Sequence, residues 1–335
     1  METFYPEFLP RFNGLLRELG SRPVAVIGHM RPDGDCIGSQ VALARVLRAL
    51  GHETVCVNSD PVPRRLQFLL DGERFVRPED LDSLDRAAVF VDCADHDRAG
   101  KAAAARFPGP AGVIDHHLSN AGFGACNIID AGSSATAEIL AGLFLAGAQP
   151  VDAVTAQALY AGILTDTGQF RFNSTSRRTF LLAAELLTRG ARPAQAGYEL
   201  YERETAGRLQ LLQRFLASFR YECGGRVCIG TLSKGVFDET GSRSEDTEGL
   251  VDYTRAVDGV EIGVLIEERQ DGIKASLRAK DPAVRVDLVA GQFGGGGHAC
   301  AAGLNVPGEQ AAAFYPRLLK VLETQLRQVG KAGRP

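Results

Sequence analysis

Short apolar runs alternate with helical patterns over the first 190 residues. Residues 24–27, 54–57, 88–91 and 113–114 are brief apolar runs rich in Val and Ile. That is the pattern of strands buried on both faces of a parallel sheet. Helical spacing fills 39–50 and 98–106, then two longer segments at 134–146 and 152–164. Such alternation predicts βαβ units and an α/β domain with helices on both faces of the sheet.

From 179 to 220 the pattern is helical throughout, interrupted at Gly190 and Pro193. Leu209, Leu212, Phe215, Leu216 and Phe219 keep helical spacing, which reads as a helical connector. A second, smaller α/β unit follows. Its predicted strands are 227–232, 261–267, 272–277 and 300–304, with helices at 246–257, 286–290 and 310–328. The organisation expected is therefore an N-terminal parallel-sheet domain over 1–190, a linker over 191–220 and a second domain over 221–329. Residues 330–335 are expected to form a frayed tail.

Composition narrows the picture. A chain of 335 residues can build two ordinary cores. With 45% hydrophobic and 23% charged residues it is not a disordered chain. The net charge of -4 excludes a protein that coats long duplex nucleic acid, so any nucleic-acid ligand is short or locally held. Seven cysteines without a C-x-x-C pair read as small packing residues in a reducing compartment, and a cytoplasmic location is expected. No long apolar segment or basic leader is visible, so neither a membrane span nor a signal peptide is expected.

The chemistry gathers where apolar runs end. His29, Asp33 and Asp35 follow the first run; Asp92 follows the third; Asp115, His116 and His117 follow the fourth; Asp166 ends a hydrophobic helix. In open parallel sheets, ligands collect at the carboxyl ends of strands. An N-cap with a turn glycine accounts for one aspartate of the first loop, not for His29-x3-Asp33-x-Asp35. Asp95, His96 and Asp97 read as an ordinary polar loop. A carboxylate at a helix C-terminus faces the negative end of the macrodipole, so Asp166 calls for a cation; capping of the following turn is the competing account. Several carboxylates with imidazoles suit hard or borderline divalent ions such as Mn²⁺, and the set is too large for one. Paired ions roughly 3.5–4 Å apart activate water and stabilise a displacement at phosphorus.

One motif remains. Gly294, Gly295, Gly296 and Gly297, followed by His298, make a run in which backbone N–H groups can approach an anion. Upstream, Arg278 ends a predicted strand and suits a bidentate phosphate contact, though a solvated strand-end charge explains it equally well.

With these residues in place, the chain resembles the DHH phosphoesterase superfamily, whose tripeptide stands at Asp115-His116-His117. The segments GHMRPDGDCIGSQ (28–40), VDCAD, VIDHH, GILTDTGQFRF (162–172) and FGGGGHACAAG (293–303) occur in the family's order. The last is similar to the DHH-associated substrate domain, and the short layout is similar to the nanoRNase branch of bifunctional oligoribonucleases and 3′,5′-bisphosphate phosphatases. The resemblance implies one metal on His29, Asp33 and Asp92 and a second on Asp35, Asp92, His116 and Asp166. It implies His117 beside the scissile phosphate, Asp115 orienting the histidine pair, and Arg278, His298 and the glycine run holding the substrate's terminal phosphate or nucleotide. Substrate would lie in the cleft between domains, and a homodimer is expected.

The activity so implied is a two-metal hydrolase, using Mn²⁺ with Mg²⁺ or Co²⁺ as substitutes. It would release nucleoside 5′-monophosphates from very short RNA and dephosphorylate adenosine 3′,5′-bisphosphate. Rival expectations are a stand-alone cyclic di-AMP or pApA phosphodiesterase, a RecJ-like exonuclease and a non-catalytic nucleotide sensor. The intact ligand set opposes the sensor.

Overall fold

The computed structural model describes residues 4–82 and 85–331. The chain forms two compact units that divide between Arg203 and Glu204, inside the segment expected to be a connector.

The first unit runs α1 (Leu9–Leu19), β1 (Val24–Ile27), α2 (Gly34–Ala49), β2 (Thr54–Val57), β3 (Phe75–Val76), β4 (Ala87–Val91), α3 (Lys101–Arg106), β5 (Gly112–Asp115), β6 (Cys126–Ile129), α4 (Thr136–Ala146), α5 (Ala153–Asp166), α6 (Arg177–Thr188) and α7 (Pro193–Gly197). Its six strands are all parallel, in the order β3-β2-β1-β4-β5-β6. The order reverses between β1 and β4, which is where open α/β sheets bind ligands. Strands β1, β4 and β5 are buried along their whole length, as uninterrupted apolar runs require. Helix α2 lies against α5 so closely that a Cβ on Gly38 would stand 2.4 Å from the Ala158 carbonyl oxygen.

The second unit runs α8 (Ala206–Ala217), β7 (Arg220–Glu222), β8 (Val227–Leu232), α9 (Val236–Thr240), α10 (Leu250–Ala256), β9 (Ile262–Glu268), β10 (Gly272–Ala279), α11 (Val286–Gly291), β11 (Gly296–His298), β12 (Ala301–Pro307) and α12 (Ala311–Lys331). Its mixed sheet has the order β11-β12-β10-β9-β8-β7. A core of Val264, Ile266, Leu277, Val289, Phe314 and Leu318 joins this sheet to α11 and α12.

The strands at 24–27, 54–57 and 227–232 fall where the pattern places them. Other boundaries move. Helix α2 begins five residues before the expected start, because Asp33 caps it by accepting from the N–H groups of Asp35 and Cys36. The expected helix at 98–106 is a 3-10 turn over His96–Ala99 followed by the shorter α3. The helical pattern over 179–220, with its expected interruptions at Gly190 and Pro193, forms α6, α7, a π-helical turn over Tyr198–Glu202 and α8, and its end is strand β7. Strand β11, for which no element is expected from the pattern, occupies part of the glycine run. Of the expected tail, 330 and 331 belong to α12 and 332–335 lie outside the described residues. Among the described residues, no helix is long and apolar enough to cross a membrane.

Candidate active site

The loops after β1, β4 and β5 and the end of α5 bring six side chains together. His29 is buried and puts Nε2 3.3 Å from Asp92 Oδ2 and 3.7 Å from Asp33 Oδ1. His116 Nε2 stands 3.1 Å from Asp166 Oδ2, 3.6 Å from Asp92 Oδ1 and 3.9 Å from Asp35 Oδ2. Asp92 thus lies between the two imidazoles. Its backbone sits at φ +57°, in the left-handed region that aspartate enters more readily than most side chains.

Asp35 is fully buried, and both of its oxygens are held. Thr136 N donates to Oδ2 at 2.7 Å and Ala137 N to Oδ1 at 2.8 Å, while Ser39 Oγ donates to Oδ1 at 3.2 Å. Thr136 Oγ1 also donates to Asp92 Oδ1 at 3.1 Å. The first turn of α4 therefore aims its free N–H groups into the carboxylate cluster.

The electrostatics are those of a cation site. Burial and the facing carboxylates of Asp92 and Asp166 push Asp35 well above the usual carboxylate range. Burial, with Asp33 and Asp92 nearby, pushes Asp166 up to about 6 against the pull of His116. Burial works against charge on His116, but Asp166, Asp35 and Asp92 outweigh it and push the imidazole up to about 11. For His29 burial likewise opposes charge, and Cys36, Asp33 and Asp92 raise it regardless. Carboxylates packed this closely require protons or a cation between them. Donor atoms of Asp35, His116 and Asp166 lie within 4.8 Å of one another, as do those of Asp92, His116 and His117 and those of His29, Cys36 and Asp92. Oxygen and imidazole donors at this density suit a divalent ion. Burial raises the Cys36 thiol, in keeping with a packing role.

The two adjacent histidines have ring centroids 4.9 Å apart and are oriented by different groups. His117 Nδ1 donates to Asp115 Oδ1 at 2.8 Å, and Asn120 holds the other oxygen at 2.7 Å. His116 Nδ1 donates instead to the Ser133 carbonyl at 3.3 Å. Asp115 therefore orients His117 and not the pair. Sequence reasoning missed Ser39, Asn120, Ser133 and Thr136. The Ser133-Ser134-Ala135-Thr136 run announces a helix start, and that was the available signal.

Two family models match the chain: the DHH family N-terminal domain over residues 23–163 and the DHHA1 domain over 224–328. A Thermus thermophilus protein described as bifunctional oligoribonuclease and PAP phosphatase NrnA is 32% identical over 308 residues, spanning 92% of this chain and 91% of that protein. The chain belongs to the DHH family. The Bacillus subtilis protein of the same description is 27% identical, over 90% of this chain and 93% of its own length. In fold, this DHH protein matches an exopolyphosphatase-related protein from Bacteroides fragilis at a TM-score of 0.86, with 21% identity, over 98% of this chain and 99% of that one.

The DHHA1 unit carries the remaining predicted residues. Arg278 on β10 and His298 on β11 both stand opposite Ala301 of β12, so they share one row of the sheet. Directly opposed residues emerge on the same face. Burial pulls the Arg278 guanidinium down, and among the described residues no carboxylate forms an ion pair with it; Nη1 donates only to the neighbouring Leu277 carbonyl, at 3.0 Å. His298 is exposed. Gly295 and Gly297 have a packing reason besides any ligand. A Cβ on either would come within 2.4 Å of a β12 carbonyl, that of Gly303 or Ala301. Gly294 and Gly296 have open space at the Cβ position.

Proposed function

We propose that this DHH protein is a metal-dependent phosphodiesterase and phosphatase. Its substrates are very short oligoribonucleotides, cut to nucleoside 5′-monophosphates, and adenosine 3′,5′-bisphosphate, converted to AMP. The observation that carries the reading is the Asp92-centred cluster at the switch point of the sheet, flanked by two imidazoles and three further carboxylates. The relative at 32% identity, which matches both units, supports the substrate class.

In this reading His29, Asp33 and Asp92 hold one divalent ion, and Asp35, Asp92, His116 and Asp166 hold another. When bound, such a pair lowers the pKa of a water and neutralises charge on the phosphate oxygens; Mn²⁺ suits the donors best, with Mg²⁺ or Co²⁺ as substitutes. The chain's own groups do the rest. Asp115 accepts the His117 Nδ1–H and so orients the ring, leaving the Nε2–H of the imidazolium to meet charge developing on the scissile phosphate. Burial opposes a charged His117, while Asp115 and Asp92 raise its pKa and favour the imidazolium that does this. Thr136 and Ala137 hold Asp35 in place without a further side chain. Arg278, His298 and the run from Gly294 to Gly297 take the substrate's terminal phosphate or nucleotide.

The division of labour is catalysis by the first unit and substrate holding by the second; the segment 191–220, expected as a linker, is shared between them, with α8 packed into the second unit's core. The net charge of -4 favours short substrates over long duplexes. The free cysteines fit a reducing cytoplasm, and the enzyme is read as a homodimer there.

The test is a side-by-side comparison of kcat/KM for a diribonucleotide, adenosine 3′,5′-bisphosphate, pApA and cyclic di-AMP with Mn²⁺. Diribonucleotide and bisphosphate are expected to lead, and Asp92→Ala is expected to abolish turnover of both. A preference for cyclic di-AMP overturns the substrate assignment. Full activity of Asp92→Ala overturns the metal assignment.

A further inference from the structure

A second polar cluster lies behind the site and is not part of it. Glu138 in the first turn of α4 is fully buried, and both its oxygens are occupied. Oε1 accepts from Arg178 Nε at 2.7 Å and lies 3.1 Å from the Tyr5 hydroxyl. Oε2 accepts from Ser134 N at 3.1 Å, from Ser134 Oγ, and from Thr179 Oγ1 at 2.9 Å. Arg178 also reaches Asp130 Oδ2 and Ser133 Oγ, each at 3.1 Å, and stacks its guanidinium 4.2 Å over the Tyr5 ring. Tyr5 Oη stands 2.7 Å from Ser133 Oγ, which in turn donates to Asp130 Oδ2 at 2.6 Å.

Ser133 is the point on which these contacts converge. Its hydroxyl is fixed by Tyr5, Arg178 and Asp130, and its carbonyl receives the Nδ1–H of His116. A carbonyl only accepts, so that contact puts the proton on Nδ1 and leaves the Nε2 lone pair of neutral His116 toward Asp35, Asp92 and Asp166. The same cluster pins the start of α4, whose N–H groups hold Asp35. Tyr5 itself is buried at φ +47°, a conformation that a bulky residue keeps only when its surroundings impose it.

We infer that Arg178, Glu138 and Tyr5 are positioning residues that set the orientation and tautomer of His116 through Ser133, and so tune the metal position that His116 serves more than the other. The inference rests on the two-ion reading above. The cluster makes no contact with His29 or Asp33 and reaches Asp92, the ligand both ions would share, only through Thr136 at the start of α4, so the ion on His29 and Asp33 feels it less.

The test measures Mn²⁺ binding to the full chain by electron paramagnetic resonance, well below the unfolding temperature. Arg178→Ala strips a buried Glu138 of its cation and is expected to unfold. Arg178→Lys keeps the charge but loses the fork, and Tyr5→Phe keeps the ring but loses the hydroxyl, so these two carry the experiment. Each is expected to bind one Mn²⁺ nearly as the native protein does and the other about 10–100-fold more weakly, the usual cost of losing an outer-shell partner. Two unchanged affinities, or two affinities weakened alike, overturn the inference. A native protein that binds fewer than two ions overturns the two-ion reading instead.

Discussion

Asp115 and His117 form a closed pair: the carboxylate is fully buried, accepts the imidazole Nδ1–H at 2.8 Å, and has its other oxygen tied to Asn120. Burial alone would raise Asp115, but His117, His116 and Asn120 hold it below the usual carboxylate range. Asp115→Asn keeps the shape and removes the charge. The variant is expected to fold and to bind Mn²⁺ normally, with kcat lower by about 10²-fold or more and little change in KM. Steady-state kinetics with a diribonucleotide decides this; an unchanged kcat removes His117 from the chemistry.

The close approach of α2 and α5 yields a second prediction. Asp35 rides on the first helix and Asp166 on the second, and Gly38 lets their backbones meet. Gly38→Ala would place a methyl 2.4 Å from the Ala158 carbonyl oxygen, and both sides of that contact are backbone. The helices must then part, at a cost of about 1–3 kcal/mol. Denaturant unfolding should show this loss, together with weaker Mn²⁺ binding. An unchanged midpoint would falsify the packing argument.

The loops of the candidate site were legible because each follows an apolar run that reads as a buried strand, which places His29, Asp92 and Asp115 on one sheet edge. The supports were not legible. Arg178 and Glu138 sit 40 residues apart on different helices, and each reads in isolation as a solvated helix charge. Tyr5 lies 128 residues from Ser133. Chain spacing carries no information about such contacts, because the fold must exist before they do. Strand β7 was hidden for a different reason: the helical spacing of Leu212, Phe215 and Phe219 runs straight up to it, and no proline or glycine marks the change. The fragmenting of the connector follows from Pro193 and the π-helical turn after it.

Asp152 links pH to the helix that carries Asp166. It caps α5 by accepting from Thr155 N at 2.8 Å and pairs with Arg45 Nη2 at 2.5 Å. Burial is the largest single influence and opposes this charge, but Arg45 and Thr155 together outweigh it and bring the pKa down to about 2. A depressed carboxylate adds stability above its unfolded value of 3.8 and loses it as pH falls toward 2. Asp152→Ala should therefore cost about 1 kcal/mol at neutral pH, the usual worth of such a cap. The difference between variant and native protein should shrink from pH 4 to pH 2. Chemical unfolding at stepped pH measures it, and a constant difference across that range counts against the assignment.

Arg278 supplies the last prediction. Its guanidinium is half-buried, is pulled down by that burial against the attraction of Asp252, and has no carboxylate ion pair among the described residues. A half-buried cation without a hydrogen-bonded counter-ion is partly desolvated, and a phosphate that pairs with it recovers that cost. Ligand that binds only the folded form stabilises it by about 2.7 kcal/mol at a hundred times Kd. AMP should therefore raise the Tm of the native protein by several degrees and that of Arg278→Ala by much less. Arg278→Lys should give an intermediate shift, because it keeps the charge and loses the bidentate fork. The same variants should raise KM for a diribonucleotide more than they lower kcat, because the contact is made in the bound substrate as well as in the transition state. Equal AMP shifts in all three proteins would return Arg278 to the solvated strand-end charge that the sequence alone equally allowed.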